Sequence, residues 1–237
     1  MCERGVSFVV TCEHAGNRVP AAYRTLFAPH AGPLASHRGW DPGALQLART
    51  LASRLTAPLL ATRTTRLLVE ANRSLRHRRL FSDISCALPA AERERVVARW
   101  WRPFREAAAR AVCEASGPVV HLSAHSFTPV LDGRVRNVDV AFLYDPRRRW
   151  ERALVDRWSV DLAARRPDLR VRRNNPYQGR HDGHTAALRR AFADAAYAGI
   201  EVEVNQAITT GPPRAWRRLR EDIAAVVADA PGSCGGS

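Results

Sequence analysis

Val6-Ser7-Phe8-Val9-Val10-Thr11 runs directly into Cys12-Glu13-His14-Ala15-Gly16-Asn17, so that an apolar run ends in a polar turn. A short run of β-branched and aromatic residues predicts a buried strand. The segment from Glu13 to Pro20 contains Gly, Asn and Pro, which indicates that the strand ends there. The first element is therefore predicted to be a buried strand with charged and imidazole side chains at its carboxyl end.

The same pattern of apolar strands and amphipathic helices continues along the chain. Further strands are predicted at Leu59–Ala61, Arg66–Glu70, Pro118–Leu122, Val138–Tyr144, Leu169–Arg173 and Ile200–Val204. Helices are predicted from Pro42 to Leu55, over Ala90–Ala115 with a break at Pro103, and over Trp150–Arg165, His184–Ala198 and Pro213–Ala228. This alternation predicts an α/β protein, a three-layer sandwich with a central, mostly parallel or mixed sheet.

The chain has 237 residues, of which 46% are hydrophobic, enough for one domain with a sizeable core. We expect a single domain over residues 1–230 and a flexible Gly/Ser-rich tail over 231–237. No apolar run approaches the roughly 18–20 residues of a membrane span. Met1–Val10 lacks the features of a secretory signal. We therefore expect a cytoplasmic protein with no membrane partner.

Neither the cysteines nor the charge indicates a specific partner. Five scattered cysteines without a C-x-x-C pair suit neither a disulfide framework nor a thiolate zinc site. The net charge is +14, and every basic residue other than histidine is Arg. These arginines are spread along the whole chain, which favours codon bias and general solvation over nucleic-acid binding. A non-enzymatic basic protein that binds nucleic acid remains the alternative from another functional class.

Polar residues follow four of the predicted strands. They are Glu13, His14 and Asn17, then Asn72 and Arg73, then His125 and Ser126, and finally Glu203 and Asn205. In open α/β sheets, ligands bind beyond the carboxyl ends of the strands, so these groups are expected at one edge. Each also has a plainer interpretation, because a histidine after a strand often only bonds a loop, and Asn17, Asn72 and Asp182 are typical turn formers.

Glu201 and Glu203 lie two apart in an otherwise apolar strand and therefore project to one face. A buried carboxylate is costly unless it is paired, metal-bound or catalytic. Imidazoles and a carboxylate suit Zn²⁺, which in catalytic sites has three protein ligands and an open position. A nearby glutamate can accept the proton of the water that attacks the substrate. Arg73 offers a planar fork for a substrate carboxylate.

Other catalytic motifs are missing from the sequence. It has no phosphate-binding G-x-x-x-x-G-K-[ST] loop, no G-x-G-x-x-G and no G-x-S-x-G nucleophile elbow. Ser126 is a poor partner for a triad with His125, because adjacent residues rarely face one another. The residues therefore favour hydrolysis assisted by a metal.

Seven short motifs occur in sequence along nearly the whole chain: Thr11-Cys-Glu-His-Ala-Gly-Asn-Arg-Val-Pro20, Trp40-Asp-Pro-Gly-Ala44, Glu70-Ala-Asn-Arg73, Ser123-Ala-His-Ser126, Asn175-Pro-Tyr-Gln-Gly179, Asp182-Gly183 and Glu203-Val-Asn-Gln206. In this order they resemble the N-formylglutamate amidohydrolase family, which is related to the zinc carboxypeptidases and aspartoacylases. The resemblance implies a phosphorylase/hydrolase-like α/β fold and one Zn²⁺ per chain. It also implies a small N-acyl amino acid substrate with a carboxylate, such as N-formylglutamate.

The resemblance also implies roles for individual residues. His14 and His125 look like zinc ligands, and Glu203 looks like the general base. Asn72 and Arg73 are similar to the pair that grips a substrate carboxylate in the wider superfamily. The expected substrate pocket also includes Asn17, Ser126, Tyr177, Arg180, Asp182 and Asn205.

The sequence departs from its relatives at two positions. Carboxypeptidases use His-x-x-Glu for their first two ligands, but Asn17 stands at that second position here. Asp41 is the expected carboxylate ligand and Glu13 is the alternative, because adjacent residues such as Glu13 and His14 do not easily bind one ion. Asn205 stands where typical formylglutamate enzymes carry Arg, which leaves open another N-acyl amino acid or a cell-wall-type amide. The sequence does not fix the oligomeric state.

Overall fold

The computed structural model describes residues 5–229. These residues fold around a central, mostly parallel sheet. The strands of this sheet are β1 (Ser7–Cys12), β2 (Leu59–Ala61), β3 (Val119–Phe127), β6 (Val140–Leu143), β7 (Val171–Arg173) and β8 (Tyr197–Asn205). They lie in the order β2-β1-β3-β8-β6-β7, and within this sheet only the β6–β8 pair is antiparallel. Between β3 and β6, a separate hairpin pairs β4 (Val130–Leu131) with β5 (Arg134–Val135).

Helices cover both faces of this sheet. The α-helices of the described residues are α1 (Arg24–Phe27), α2 (Ala31–Ala35), α3 (Ala44–Leu55), α4 (Ala90–Val96), α5 (Arg102–Cys113), α6 (Arg149–Arg165), α7 (His184–Ala191), α8 (Gln206–Thr209) and α9 (Pro213–Asp229). Short 3-10 turns occupy Ala21–Tyr23, Ala28–His30 and Ser85–Ala87. No helix within residues 5–229 combines the length and apolarity that a membrane crossing requires.

The two faces of the sheet receive different helices because successive strand residues point to opposite sides. Val10 packs with α3, α6 and α9 in the larger core cluster. Its neighbour Val9 packs on the other side, with Val112 of α5 and Leu188 of α7. These three layers confirm the predicted α/β sandwich with a mostly parallel sheet.

The central strands β3 and β8 are buried along their whole length. Their parallel register places His125 directly beside Glu203 and Ser123 beside Glu201. Both strands are longer than predicted. His125, Ser126 and Asn205 therefore lie within strands, whereas the sequence placed them just beyond strand ends.

Two predicted elements are wrong. Arg66–Glu70 forms turns instead of a strand, because Arg66 N–H bonds the Gly39 carbonyl and Glu70 N–H bonds the Leu80 carbonyl, outside the sheet. The helix predicted over His184–Ala198 ends at Ala191, since the backbone of Phe192 is already extended. The Ala-rich residues before Tyr197 do not stay helical, because the chain from Tyr197 onward is buried in the middle of the sheet, and this overrides local helix propensity.

The predicted break at Pro103 takes a milder form. A π-helical turn over Val97–Trp101 joins α4 to α5, and Pro103 lies in the first turn of α5. Proline has no backbone N–H, and it is tolerated in a first turn because the N–H groups at these positions have no acceptor within their own helix. The predicted tail at 231–237 lies outside the described residues, and the predicted extent of the domain stays a prediction.

A tight turn before α3 requires glycine. Gly43 has φ +87°, and a Cβ at this position would overlap the side chain of Thr209. Thr209 and Ser126 also donate hydrogen bonds to the Pro42 carbonyl, at 2.7 and 2.8 Å. The turn thereby fixes the backbone that carries Asp41.

We predict that Gly43→Ala destabilises the protein, because alanine is strained at positive φ and meets Thr209. The free energy of unfolding should fall by at least about 1–3 kcal/mol in urea denaturation. Gly32→Ala is the matched control, since Gly32 lies in α2 with open space around its Cβ position. Equal stability of the two variants would contradict this account of the turn.

Candidate active site

His14, Asp41 and His125 converge on one point at the carboxyl side of the sheet. Asp41 Oδ2 lies 3.1 Å from His14 Nδ1 and 3.0 Å from His125 Nδ1. His14 follows β1, Asp41 lies in the turn before α3, and His125 is on β3. All three side chains are buried. Three distant segments thus bring two imidazoles and a carboxylate together.

Asp41 is held from several sides. Its backbone N–H bonds the His14 carbonyl at 3.1 Å. Arg66 Nη1 donates to its Oδ1 at 3.1 Å, and the Ser126 N–H donates to its Oδ2 at 3.3 Å. The position of Oδ2 is therefore fixed by contacts that do not involve the imidazole rings.

The outer nitrogens of both histidines also have partners. His14 Nε2 makes a short contact with Glu70 Oε1, and Glu70 is paired with Arg66 at 2.6 Å. His125 Nε2 lies 2.9 Å from Ser123 Oγ. Histidines that bind metals commonly bond such a group through the other ring nitrogen, which fixes their orientation.

The local electrostatics favour an added positive charge. Burial and Arg66 would lower the pKa of His14, but Glu70 and Asp41 raise it above its usual value. Burial likewise opposes protonation of His125, yet its bond to Asp41 and the nearby Glu13 raise its pKa to about 10. The carboxylates therefore hold a cation at this point, either a proton on each ring or a metal ion between them.

The donor set fits a divalent metal ion. In tetrahedral zinc sites, ligand atoms at about 2.0–2.1 Å from the metal are separated by about 3.3 Å. The separations of Asp41 Oδ2 from the two Nδ1 atoms are close to this value. Two imidazoles and one carboxylate are also a common ligand set of catalytic zinc. His14, Asp41 and His125 are thus the residues that would hold the ion.

Glu203 lies beside this cluster with one oxygen free. It is buried on β8, next to His125 on β3, and its Oε2 has no hydrogen-bond partner. Burial raises the pKa of Glu203 to about 7, with His125 opposing the rise and Asp41 adding to it. A carboxylate with such a pKa can accept and return a proton near neutral pH.

Tyr177 lies at the rim of the site. Its side chain is partly exposed, and its hydroxyl accepts a 2.9 Å hydrogen bond from Arg136, whose guanidinium also lies over the ring. Burial and the charge of Glu203 raise the pKa of Tyr177, which places the phenol within electrostatic range of that carboxylate. Arg180, in the same loop, is exposed to solvent.

Asn72, Arg73 and Asp182 form a junction between two loops. Asn72 Oδ1 accepts the His184 N–H at 2.6 Å, and Asp182 accepts the Ser74 N–H at 3.0 Å. The Arg73 guanidinium donates to the Asp182 carbonyl. Within residues 5–229, no carboxylate lies within ion-pair distance of Arg73, which leaves its charge available to an anionic ligand.

Three other predicted substrate-binding residues bond only to protein groups. Asn17 is exposed and donates to the Leu34 carbonyl. Ser126 Oγ donates to the Pro42 carbonyl, as described above. Asn205 uses both ends of its amide, accepting from Ala207 N–H at 3.0 Å and donating to the Val138 carbonyl at 2.8 Å. The structure does not bring Asn17 or Asn205 into the ligand cluster.

Glu13, the alternative ligand, lies in a second buried cluster with His121 and His184. Neither this cluster nor the Arg66–Glu70 pair was predicted from the sequence. The sequence of β3 contains a signal for the second cluster, because His121, Ser123 and His125 alternate with Val120, Leu122 and Ala124. This period of two puts the three polar residues on one buried face.

Comparisons with known proteins show the family to which the chain belongs. The family model for N-formylglutamate amidohydrolase matches residues 6–209. The gene product Atu2144 from Agrobacterium tumefaciens superimposes with a TM-score of 0.78 at 30% identity, covering 95% of this chain and 92% of that one. A comparison with curated proteins finds no match.

Two further solved structures are less similar. N-acetylmuramoyl-L-alanine amidase AmiC2 of Nostoc punctiforme has a TM-score of 0.45 at 13% identity, over 94% of this chain and 96% of that one. A bacteriophage poly-gamma-glutamate hydrolase has a TM-score of 0.47 at 11% identity, over 94% and 84%. The family match spans the strands that carry the two histidines and Glu203. The chain belongs to the N-formylglutamate amidohydrolase family and is an amide-cleaving hydrolase.

Proposed function

We propose that this protein is a zinc-dependent amidohydrolase that removes the acyl group from an N-acyl amino acid. One observation carries the proposal: a buried set of His14, Asp41 and His125 lies beside Glu203, which has a free oxygen. A single Zn²⁺ per chain would occupy this set. When bound, zinc polarises the scissile carbonyl and lowers the pKa of water toward about 7.

Glu203 performs the proton transfers in this proposal. Its Oε2 takes a proton from the water that attacks the amide carbon, and the protonated carboxyl then gives it to the departing nitrogen. Burial favours the protonated form of Glu203, which helps this carboxyl to hold the proton before it passes to the nitrogen. The carbon–nitrogen bond breaks, leaving a carboxylate product and a free amine.

Arg73 is the proposed anchor for the carboxylate of the substrate. It is partly buried, it has no acidic partner among residues 5–229, and Asp182 holds it in the junction described above. A planar guanidinium can bind a carboxylate through two parallel hydrogen bonds. Tyr177 and Asp182 would line the same entrance, and Arg180 would lie at its outer edge.

N-formylglutamate is the first substrate to test, because it is the substrate in the name of the family. Other N-acyl amino acids should be tested beside it, since the neutral amide of Asn205 stands where typical formylglutamate enzymes carry Arg. We place the reaction in the cytoplasm, where exposed free thiols such as Cys86 and Cys113 persist in reduced form.

Removing either histidine ligand should abolish metal binding. Purified wild-type protein should contain about one zinc per chain by elemental analysis. His14→Ala and His125→Ala should each retain almost none, because only two ligands remain. His37→Ala, which changes an exposed histidine, should retain the wild-type content. Normal zinc content in both ligand variants would refute the site.

Glu203→Gln should abolish turnover without loss of metal. The amide cannot accept the proton of the attacking water, so amine release should slow by roughly 10²- to 10⁴-fold. Glu201→Gln is the matched control, because Glu201 projects from the same face of β8 but accepts a hydrogen bond from Thr185. A Glu203→Gln variant with wild-type turnover would remove the general base from the mechanism.

Arg73→Gln should remove the preference for substrates with a free carboxylate. A charge-assisted hydrogen bond is worth about 1.5–3 kcal/mol, so kcat/KM for such a substrate should fall roughly 10- to 100-fold. The matching carboxamide should be hydrolysed equally by both proteins. A parallel loss on both substrates would show that Arg73 only supports the Asp182 loop.

A further inference from the structure

A second carboxylate, Glu13, lies behind His125 on the inner side of the site. It is buried, and three donors surround it: Thr11 Oγ1 at 2.8 Å and His184 Nδ1 at 2.7 Å on Oε1, and Ser123 Oγ at 2.7 Å on Oε2. Its Oε2 also lies 3.4 Å from His125 Nε2. All three bonds come from donors, which is the pattern of an ionised carboxylate.

The hydrogen-bond inventory around Glu13 fixes the proton on His125. An ionised carboxylate only accepts, so the Ser123 hydroxyl donates its single proton to Glu13. In its 2.9 Å contact with His125 Nε2, the Ser123 oxygen must therefore accept. His125 Nε2 therefore carries a proton. His125 Nδ1 is on the side of Asp41 and His14, so it is the nitrogen that becomes available to a metal ion once the proton it shares with Asp41 is released.

We propose that Glu13 is a positioning residue that, through Ser123, holds His125 in the Nε2–H form and presents Nδ1 to the metal. The inference rests on the metal site of the proposed function. Carboxylates at one remove from a metal commonly orient a ligating histidine in this way. Thr11 and His184 hold the carboxylate in place, and neither touches His125 in the described bonds.

A second metal ion between Glu13, His121 and His184 is the competing interpretation of this cluster. Both ring nitrogens of His121 are already used, Nε2 by Thr11 at 2.7 Å and Nδ1 by the Tyr197 hydroxyl at 2.6 Å. His184 Nδ1 is used by Glu13, and its Nε2 is buried without a partner. Because Glu13 and both ring nitrogens of His121 are already engaged in hydrogen bonds, the cluster fits a hydrogen-bonded support better than a metal site, and metal stoichiometry tests the alternative.

Glu13→Gln is a sharp test because the orientation of its amide is dictated by its surroundings. Thr11 and His184 both donate toward the Oε1 position. The amide oxygen of the new glutamine therefore takes that side, and its NH₂ group faces Ser123. The Ser123 hydroxyl must then turn its proton toward His125 Nε2, which forces the proton of the ring onto Nδ1. The substitution should thus reverse the tautomer while preserving the shape of the side chain.

The test measures the zinc dissociation constant of the metal-free protein by competition with a chromophoric chelator. Glu13→Gln and Ser123→Ala should bind zinc about 10- to 100-fold more weakly than wild type, and Ser123→Thr, which retains a hydroxyl, should recover much of the affinity. Tyr197→Phe removes another hydroxyl of the same buried cluster and should leave the dissociation constant unchanged. Long-range ¹H–¹⁵N spectra of the zinc-loaded wild type should show the His125 proton on Nε2.

The outcomes separate this inference from the proposed function. A wild type that binds no zinc overturns both. A wild type that binds one zinc, with folded Glu13→Gln and Ser123→Ala variants within twofold of its affinity, overturns only the positioning role. Two zinc ions per chain, one of them lost in His121→Ala, would also overturn it. If Glu13→Gln does not fold, Ser123→Ala with Ser123→Thr decides the question.

Discussion

The parallel pairing of β3 with β8 is the constraint on which the rest of the site depends. This register places His125 beside Glu203 in the middle of the sheet, where both side chains are largely buried. A shift of one strand by one residue would turn its side chain into the apolar core on the opposite face and separate the pair. Because both strands are buried for nine residues, many apolar contacts hold the register that the chemistry requires.

The sheet has an apolar face and a partly polar face, and this difference explains the electrostatics. Val120, Leu122 and Ala124 pack into the larger core. The opposite face carries polar side chains: His121, Ser123 and His125 of β3, Glu13 after β1, and Glu201 and Glu203 of β8. Burying several carboxylates there is costly without compensating cations. Arg66 supplies one, and the proposed zinc supplies the charge that protonated histidines would otherwise carry.

Much of the fold could be predicted from the sequence because apolar runs mark the buried strands. Leu59–Ala61 was placed at its observed bounds, and the alternation of elements was sufficient to predict the layers. The wrong elements were those in which distant contacts override local preference. Arg66–Glu70 has a strand-like composition but bonds to Gly39 and Leu80, and the Ala-rich segment before Tyr197 is not helical because it leads into a central strand.

The site was partly predictable for the same reason. Strand ends identified His14, His125 and Glu203, and the choice of Asp41 over Glu13 agrees with the cluster in the structure. The Arg66–Glu70 pair was missed because it belongs to an irregular loop, where spacing carries no information about side-chain direction. The substrate-binding roles of Asn17 and Asn205 stay predictions; in the structure both amides donate to backbone carbonyls, contacts that local polarity in the sequence cannot indicate.

Anomalous diffraction from crystals of the zinc-loaded protein tests the central claim most directly. Data collected on both sides of the zinc absorption edge locate the ion independently of any assumption about its ligands. The account predicts one strong peak, about 2.0–2.2 Å from His14 Nδ1, Asp41 Oδ2 and His125 Nδ1. A peak among Glu13, His121 and His184, or no ordered peak in crystals grown with zinc, would contradict it.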